Sequence, residues 1–226
     1  MATQTHESLA ANATAFLERV SLTMECPRGG QEEIRTQARS LIEWARQNKV
    51  FLNANYTAGL QRQEPETTEH IVFLGVSNNQ ADRVIKCTYP GMFGWANGPN
   101  GRRSRATPLF YLRRLALMNQ VFASDLRLEG VGEGAPRFDW LENPSPYIVT
   151  SQGYIAPSDK NCPYPTEEEI EAFMFSMGFQ RLDGGYYNWE RGDLTVLDAR
   201  IDNFINSARG IVPIDLIIGK TVPTTS

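Results

Sequence analysis

The chain has 226 residues, of which 41% are hydrophobic and 21% charged, enough apolar mass for one sizeable domain or two packed lobes. Its formal net charge of -4 excludes the positive surface that nonspecific phosphate-backbone binding requires, so no nucleic acid partner is expected. The start MATQTHESLAANATAFLERV has no basic region followed by an unbroken apolar stretch, and no apolar run is long enough to span a bilayer. The expectation is a cytoplasmic protein without a membrane partner.

In chain order, Leu9, Phe16, Leu17 and Val20 form one helical stripe, and a break at CPRGG follows. QEEIRTQARSLIEWARQ then repeats helical spacing with Ile34, Ala38, Leu41, Ile42 and Ala45. From Val50 the pattern changes to β-branched runs divided by turn-formers, KVFLNANY, EHIVFLGV and RVIKCTYP, which predict antiparallel strands. A Gly/Pro/Asn-rich loop, PGMFGWANGPNGRRSRA, leads to TPLFYLRRLALMNQVFA. This is a helix with Thr107 as N-cap, Pro108 in its first turn and Leu109, Leu112, Leu115, Ala116 and Met118 directed inward. Strands LRLEGVG and PYIVTSQ and the linker GYIAPSDKNCPYP come next. PTEEEIEAFMFSMGF is then announced as a helix by Thr166 and the acidic turn Glu167, Glu168, Glu169, with Ile170, Phe173, Met174 and Met177 as its apolar face. The hairpin YYNWERGDLTVLDA precedes the last apolar stretch. The order predicts an α+β fold, divided as a helical extension 1–48, a sheet with one long helix 49–150, and a smaller region 151–226.

That last stretch, LTVLDARIDNFINSARGIVPIDLII, sets Asp198, Asn203 and Asp215 in a run that otherwise reads as buried strands and a turn. A carboxylate inside an apolar run is costly without a metal or cation beside it. Asp and Asn oxygens suit a phosphoryl-transfer site, where divalent metal is held by hard oxygen ligands, a group orients the attacking hydroxyl and a cation sits on the phosphates.

Together with RVIKCTYPGMFGW, ATPLFYLRRLALMNQVFASDLRLEGV, SQGYIAP and PTEEEIEAFMFSMGF, the segment resembles the protein-kinase-like superfamily. The closer resemblance, from about Glu69 to Ile218, is to the polyvalent protein kinase domains of bacterial and phage mobile elements. The resemblance implies a compact two-lobe fold, with a small antiparallel N-lobe sheet, a reduced C-lobe and extra N-terminal helices. It implies an ATP-dependent phosphotransferase acting on an unknown small-molecule or protein substrate. In that reading Asp198 accepts or orients the hydroxyl proton, Asn203 and Asp215 hold Mg2+, and Lys86 holds the α and β phosphates of ATP. Thr150, Gln152 and Tyr154 lie on a linker whose backbone contacts adenine, with the nucleotide cleft between the lobes.

The chain departs from that pattern in several places. Val196 and Leu197 stand where the superfamily has a His-Arg or His-Gly lead-in, and only Leu216 to Ser226 follow Asp215, too few for an activation segment of the ordinary kind. Between Lys49 and Glu69 there is no G-x-G-x-x-G, and Gly59 is the sole glycine available to cover phosphate. The helix TPLFYLRRLALMNQVFA has no glutamate to pair with Lys86; Gln120 is the nearest substitute and Glu129 lies on a following strand. These losses favour an alternative, a catalytically silent kinase-like module that binds another protein or serves as a nucleotide-binding regulator.

Each singled-out residue also has a plain structural reading. Asp198 alone reads as a turn or helix cap, and Lys86 as a solvated edge lysine. Arg102, Arg103 and Arg105 read as a solvated basic loop; Trp95, Trp140 and Trp189 read as satellite packing, and His70 as structural. Cys26, Cys87 and Cys162, without a CxxC and with only His6 and His70 beside them, support neither a disulfide framework nor a zinc site.

Overall fold

A computed structural model of the chain describes residues 6–23, 30–53, 56–63, 69–77, 80–97, 103–138, 141–182 and 187–220. Cys26, Arg102, Trp140 and the polar stretch 64–68 lie outside the described residues. The elements in order are α1 (His6–Thr23), α2 (Gln31–Gln47), β1 (Gln61–Arg62), β2 (His70–Ser77), β3 (Gln80–Thr88), β4 (Trp95–Asn97), β5 (Arg103–Arg105) and α3 (Pro108–Phe122). They continue with β6 (Arg127–Gly134), β7 (Ser145–Gly153), α4 (Glu167–Ser176), β8 (Gln180–Arg181), β9 (Trp189–Arg191), β10 (Leu194–Leu197), β11 (Phe204–Ser207), β12 (Gly210–Pro213) and β13 (Ile217–Lys220). Helices and antiparallel sheets are both present, and the class is α+β. No helix among the described residues is long and apolar enough to cross a membrane.

The residues group into two compact units, the first comprising 1–96, 104–116 and 125–154, the second 97–103, 117–124 and 155–226. The first holds a five-stranded antiparallel sheet of order β1-β2-β3-β7-β6. Its register fixes which side chains share a face, because successive residues on a strand alternate sides. Lys86 on β3 stands opposite Val72 on β2 and Thr150 on β7, and Thr150 stands opposite Leu128 on β6, so these four share one face. Ile85 and Cys87 point the other way. They are buried with Val149 and packed by Leu52, Tyr56, Ile71, Phe73 and Tyr147. On that second face Glu129 accepts from Arg83 at 2.7 Å and from Ser151, with the Tyr56 hydroxyl 3.5 Å away.

Burial pushes the Cys87 thiol up to about 12 from an ordinary value near 9, and burial followed by the Glu129 charge pushes the Tyr56 hydroxyl up to about 12. Both groups are neutral when protonated. Above pH 9 the unfolded chain therefore releases a Cys87 proton that the native chain keeps, and stability falls by about 1.4 kcal/mol per pH unit from this thiol until the native group ionises. Urea-unfolding midpoints between pH 8 and 11 should decline from about pH 9, and Cys87→Val should remove the part of that decline that begins below the tyrosine range. An unchanged slope in the variant would mean that Cys87 does not carry it.

The two N-terminal helices belong to the same unit as this sheet. Leu9, Ala13 and Leu17 make the buried stripe of α1, and Ala38, Leu41, Ile42, Trp44 and Ala45 that of α2. α2 also buries Glu33 and Gln37, which periodicity alone does not anticipate. Ser21 Oγ donates to Glu33 Oε1 at 3.2 Å and Gln37 Nε2 donates to the same oxygen at 2.9 Å. This orients the Gln37 amide so that its Oε1 accepts the backbone N–H of Leu109 at 3.0 Å. That N–H is one of the orphan donors of the first turn of α3, and Thr107 Oγ1, as expected for the N-cap, takes another from Phe110 at 3.2 Å. α3 differs from its predicted face in one respect: Ala116 is exposed, while Tyr111 and Arg114 are buried. The helix is apolar nearly all round, so the stripe did not specify an orientation.

In the second unit α4 starts with the predicted capping box, Glu169 N to Thr166 Oγ1 at 3.2 Å and Thr166 N to Glu169 Oε2 at 2.8 Å. Its inner face packs an aromatic cluster: Phe122 stacks on Phe173 and Phe179 with centroids 6.3 and 6.0 Å apart, and Phe173 meets Phe204 edge-on at 6.2 Å. A four-stranded sheet of order β13-β10-β9-β8 and the hairpin β11-β12 complete the unit.

Candidate functional site

The segment 194–218 is not one buried run. It is four short strands whose pairing gathers three polar residues. Leu197 at the end of β10 stands opposite Ile217 at the start of β13, so Asp198 follows one strand at the end where Leu216 leads into the other. Phe204 stands opposite Pro213 in the hairpin, so Asn203 comes just before β11 and Ile214 just after β12, and Ile214 N donates to Asn203 O at 2.8 Å. Asp215 sits next, in the bend between β12 and β13. The hairpin turns at Ser207 to Gly210, with Gly210 at φ +103°. Fully buried Phe204, held by the aromatic cluster, anchors the end of the hairpin that carries Asn203.

Asp198 has φ +63°, a left-handed conformation that glycine, asparagine and aspartate adopt more readily than other residues. Two hydrogen bonds to its carbonyl oxygen hold it there, from Arg200 N at 2.8 Å and from Asn203 Nδ2 at 2.6 Å. A carbonyl only accepts, so the nitrogen of the Asn203 amide must face it, and Oδ1 is turned away as a hard oxygen acceptor. The Arg200 guanidinium lies 3.5 Å from Asp198 Oδ1 and 2.8 Å from Asp202 Oδ2. Sequence reading did not single out Arg200, although its position two residues after Asp198 was the available signal. On the other side of the loop, Ala199 N donates to Tyr187 O at 3.0 Å, and the nearby Glu167 carboxylate raises the Tyr187 hydroxyl above its ordinary value.

Asp215 is not the buried carboxylate that its apolar neighbours suggest. Leu216, Ile217 and Ile218 are fully buried, but Asp215 itself is only half-buried, because the apolar run belongs to β13 and begins after it. Among the described residues no group of three or more His, Cys, Asp or Glu side chains is arranged to hold a metal ion. The set here is two carboxylates and one amide oxygen, a chemistry that fits a hard divalent cation which also takes oxygens from a phosphate substrate.

In the first unit, Lys86 is buried in the middle of β3, not on a sheet edge, with strands paired on both sides. Tyr111 of α3 meets His70 on the Lys86 face, its hydroxyl 2.9 Å from Nε2. The charge that α3 buries is a cation: Arg114 pairs with Glu69, whose carboxylate also lies 3.6 Å from His70 Nε2. Glu129 does lie on a strand, β6, but it serves Arg83 and Ser151 on the opposite face, and Gln120 is exposed at the end of α3. Gly59, at φ +84°, sits in the turn before β1, so it is not part of the β1-β2 connection, residues 63–69, which contains Glu64, Glu66 and Glu69 and no glycine.

Of the expected linker residues, Thr150 is inside β7, paired to Lys86 and Leu128 at once, so its backbone is taken up by the sheet. The β6 partner ends at Ser151, while Gln152 pairs on with Val84 and Tyr154 N donates to Asp82 O at 2.9 Å. A backbone edge turned away from β3 therefore begins at Gln152, two residues later than expected. Residues 155–163 run on to the hairpin, with Ser158 N bonded to Asn206 O at 2.8 Å and Asn206 N to Pro163 O at 2.9 Å.

The sequence matches, over residues 34–221, the family model described as Serine/Threonine/Tyrosine Kinase found in polyvalent proteins. No curated protein and no solved structure matches the chain.

Proposed function

Since the chain belongs to the family of Serine/Threonine/Tyrosine kinases found in polyvalent proteins, we propose that it is an ATP-dependent phosphotransferase with a two-lobe kinase-like arrangement. The single observation that carries this reading is the convergence of Asp198, Asn203 and Asp215 through two strand pairings and the Asn203 side chain. Asp198 accepts or orients the proton of the attacking hydroxyl, and the two bonds to its backbone carbonyl hold the loop that carries its carboxylate. Asn203 Oδ1 and Asp215 hold Mg2+, which when bound offsets the phosphate charge. Arg200, paired with Asp202 at 2.8 Å and 3.5 Å from Asp198, adds a cation on the same loop that would offset developing phosphoryl charge. Lys86 holds the α and β phosphates, and the backbone from Gln152 to Tyr154 receives the adenine.

Titration calorimetry of ATP, with and without magnesium, on the wild type and on Asp215→Ala tests the reading. Magnesium-dependent binding that weakens at least tenfold in the variant is expected. Absence of binding in the wild type, or equal binding by both proteins, would overturn it.

A second reading is favoured by two observations. α3 buries Arg114 instead of a glutamate, and the β1-β2 connection carries glutamates and no glycine. In that reading the chain binds nucleotide or a protein partner without transferring phosphate, and Asp198→Asn leaves its action unchanged.

A further inference from the structure

The backbone edge that begins at Gln152 adjoins a closed ring of hydrogen bonds, all of whose members belong to the first unit. Arg83 on β3 donates to Ser151 Oγ on β7, the Ser151 hydroxyl donates in turn to Glu129 Oε1 on β6, and Arg83 donates to that same oxygen at 2.7 Å. The other carboxylate oxygen, Oε2, stands 3.5 Å from the Tyr56 hydroxyl, in the turn before β1. A serine hydroxyl has one proton to give and lone pairs to receive with, and Ser151 uses both capacities, so its side chain is fully oriented.

Glu129 reaches this place through a β-bulge. Leu128 stands opposite Thr150 and Gly130 opposite Val149, so Glu129 is an extra residue in β6. Gly130 lets the neighbouring chain come close, since a Cβ there would overlap the Val50 carbonyl and the Leu52 side chain. Bulges re-aim side chains, and this one aims a carboxylate at Ser151, the last residue of β7 that β6 still pairs. Beyond it Gln152 pairs with Val84, Gly153 pairs with Arg83 and Tyr154 N donates to Asp82 O at 2.9 Å. Arg83 is therefore both a member of the ring and the strand partner of the edge.

We propose that Glu129 is a positioning residue for the nucleotide. Acting through Ser151 and Arg83, it fixes the edge Gln152 to Tyr154 where the adenine is received. Its carboxylate lies on the sheet face opposite Lys86, so it touches no nucleotide atom. The inference rests on the nucleotide reading above and extends it to a residue outside the cleft. A general stabilising role is a poor account of the ring, because an ion pair whose arginine is 36% exposed adds little to stability.

Two measurements on the full chain test it. Amide hydrogen exchange of the nucleotide-free protein reports on the edge alone. Glu129→Ala should speed exchange of the Tyr154 amide about tenfold and leave the Ile148 amide, bonded to Thr88 Oγ1 at 3.0 Å elsewhere on β7, at its wild-type rate. The variant should fold, because the Arg83 side chain it strands already reaches water. Glu129→Gln keeps an acceptor for Ser151 and Arg83 and should restore wild-type exchange to within about threefold. Calorimetric titration with magnesium-ATP should then show about tenfold weaker binding by Glu129→Ala and near wild-type binding by Glu129→Gln. Unchanged Tyr154 exchange in Glu129→Ala, or a rise that Ile148 shares equally, would overturn the positioning role whether or not the chain binds nucleotide. Faster Tyr154 exchange with unchanged ATP affinity would overturn the link to the nucleotide. A wild type that binds no ATP would instead sink the nucleotide reading on which the inference rests, a failure kept separate by exchange data taken without nucleotide.

Discussion

Asp198→Asn should lower the rate of phosphoryl transfer by about 10²–10⁴-fold, the span expected when a positioned general base is lost. Magnesium-dependent ATP affinity and the thermal midpoint should stay at wild-type values. The substitution separates charge from backbone, because asparagine is among the residues that best tolerate the left-handed φ of +63° found here. The carbonyl that accepts from Arg200 N and Asn203 Nδ2 is retained, so the loop keeps its shape. What disappears is the carboxylate charge and its 3.5 Å pairing with the half-exposed Arg200, a contact worth little to stability. Asp198→Ala would add about 1–2 kcal/mol of backbone strain to the same chemical loss, which makes it the poorer test. Single-turnover conversion of γ-labelled ATP provides the measurement. A variant that turns over at the wild-type rate would remove Asp198 from the chemistry, whatever the fold.

Gly94→Ala should be strongly destabilising to the first unit. Gly94 has φ +76°, and a Cβ there would overlap the carboxylate of Glu69. Backbone cannot yield cheaply, so Glu69 must, and Glu69 is the buried partner of the buried Arg114. Displacing one half of a buried ion pair costs up to about 3–5 kcal/mol, because the remaining charge loses its charged partner. The left-handed φ adds about 1–2 kcal/mol for a residue with a side chain. Against a total stability of about 5–15 kcal/mol, the variant should be largely unfolded or melt many degrees lower. Calorimetric or circular-dichroism melting of Gly94→Ala beside Glu69→Gln provides the check. Glu69→Gln alone should lose most of the same stability, and a Gly94→Ala midpoint equal to wild type would show that Glu69 relocates without loss.

What could be read from the sequence was what local chemistry decides. Thr166 with Glu169 three residues on, and Thr107 followed by Pro108, announced two helix starts because a cap and its target lie within one turn. The β-branched runs around Lys86 announced strands, whereas the grouping of Asp198, Asn203 and Asp215 into one site was implied by the family resemblance. Hidden were the arrangements made by residues far apart in the chain. Gln37 caps a helix 72 residues downstream, and Glu69 is matched to Arg114 across 45 residues, neither of which any periodicity encodes. Asp215 looked like a buried carboxylate because nothing in the letters shows that β13 begins only at Ile217. Thr150 read both as part of the strand PYIVTSQ and as the start of the adenine linker, and the pairing of β7 with β3 as far as Gly153 places it in the strand.

The hydrogen bond from Leu109 to Gln37 bears on where this domain can be said to start. The family match opens at residue 34, inside α2, after Glu33 and the whole of α1. A fragment cut there would keep Gln37 but lose the carboxylate that orients its amide, together with the Ser21 hydroxyl and the Glu18 partner of Arg113. The inherited pattern and the mechanically complete piece thus have different edges. A fragment that keeps α1 and Glu33 keeps the hydrogen bonds that orient the Gln37 cap of α3, and one that starts at residue 34 does not.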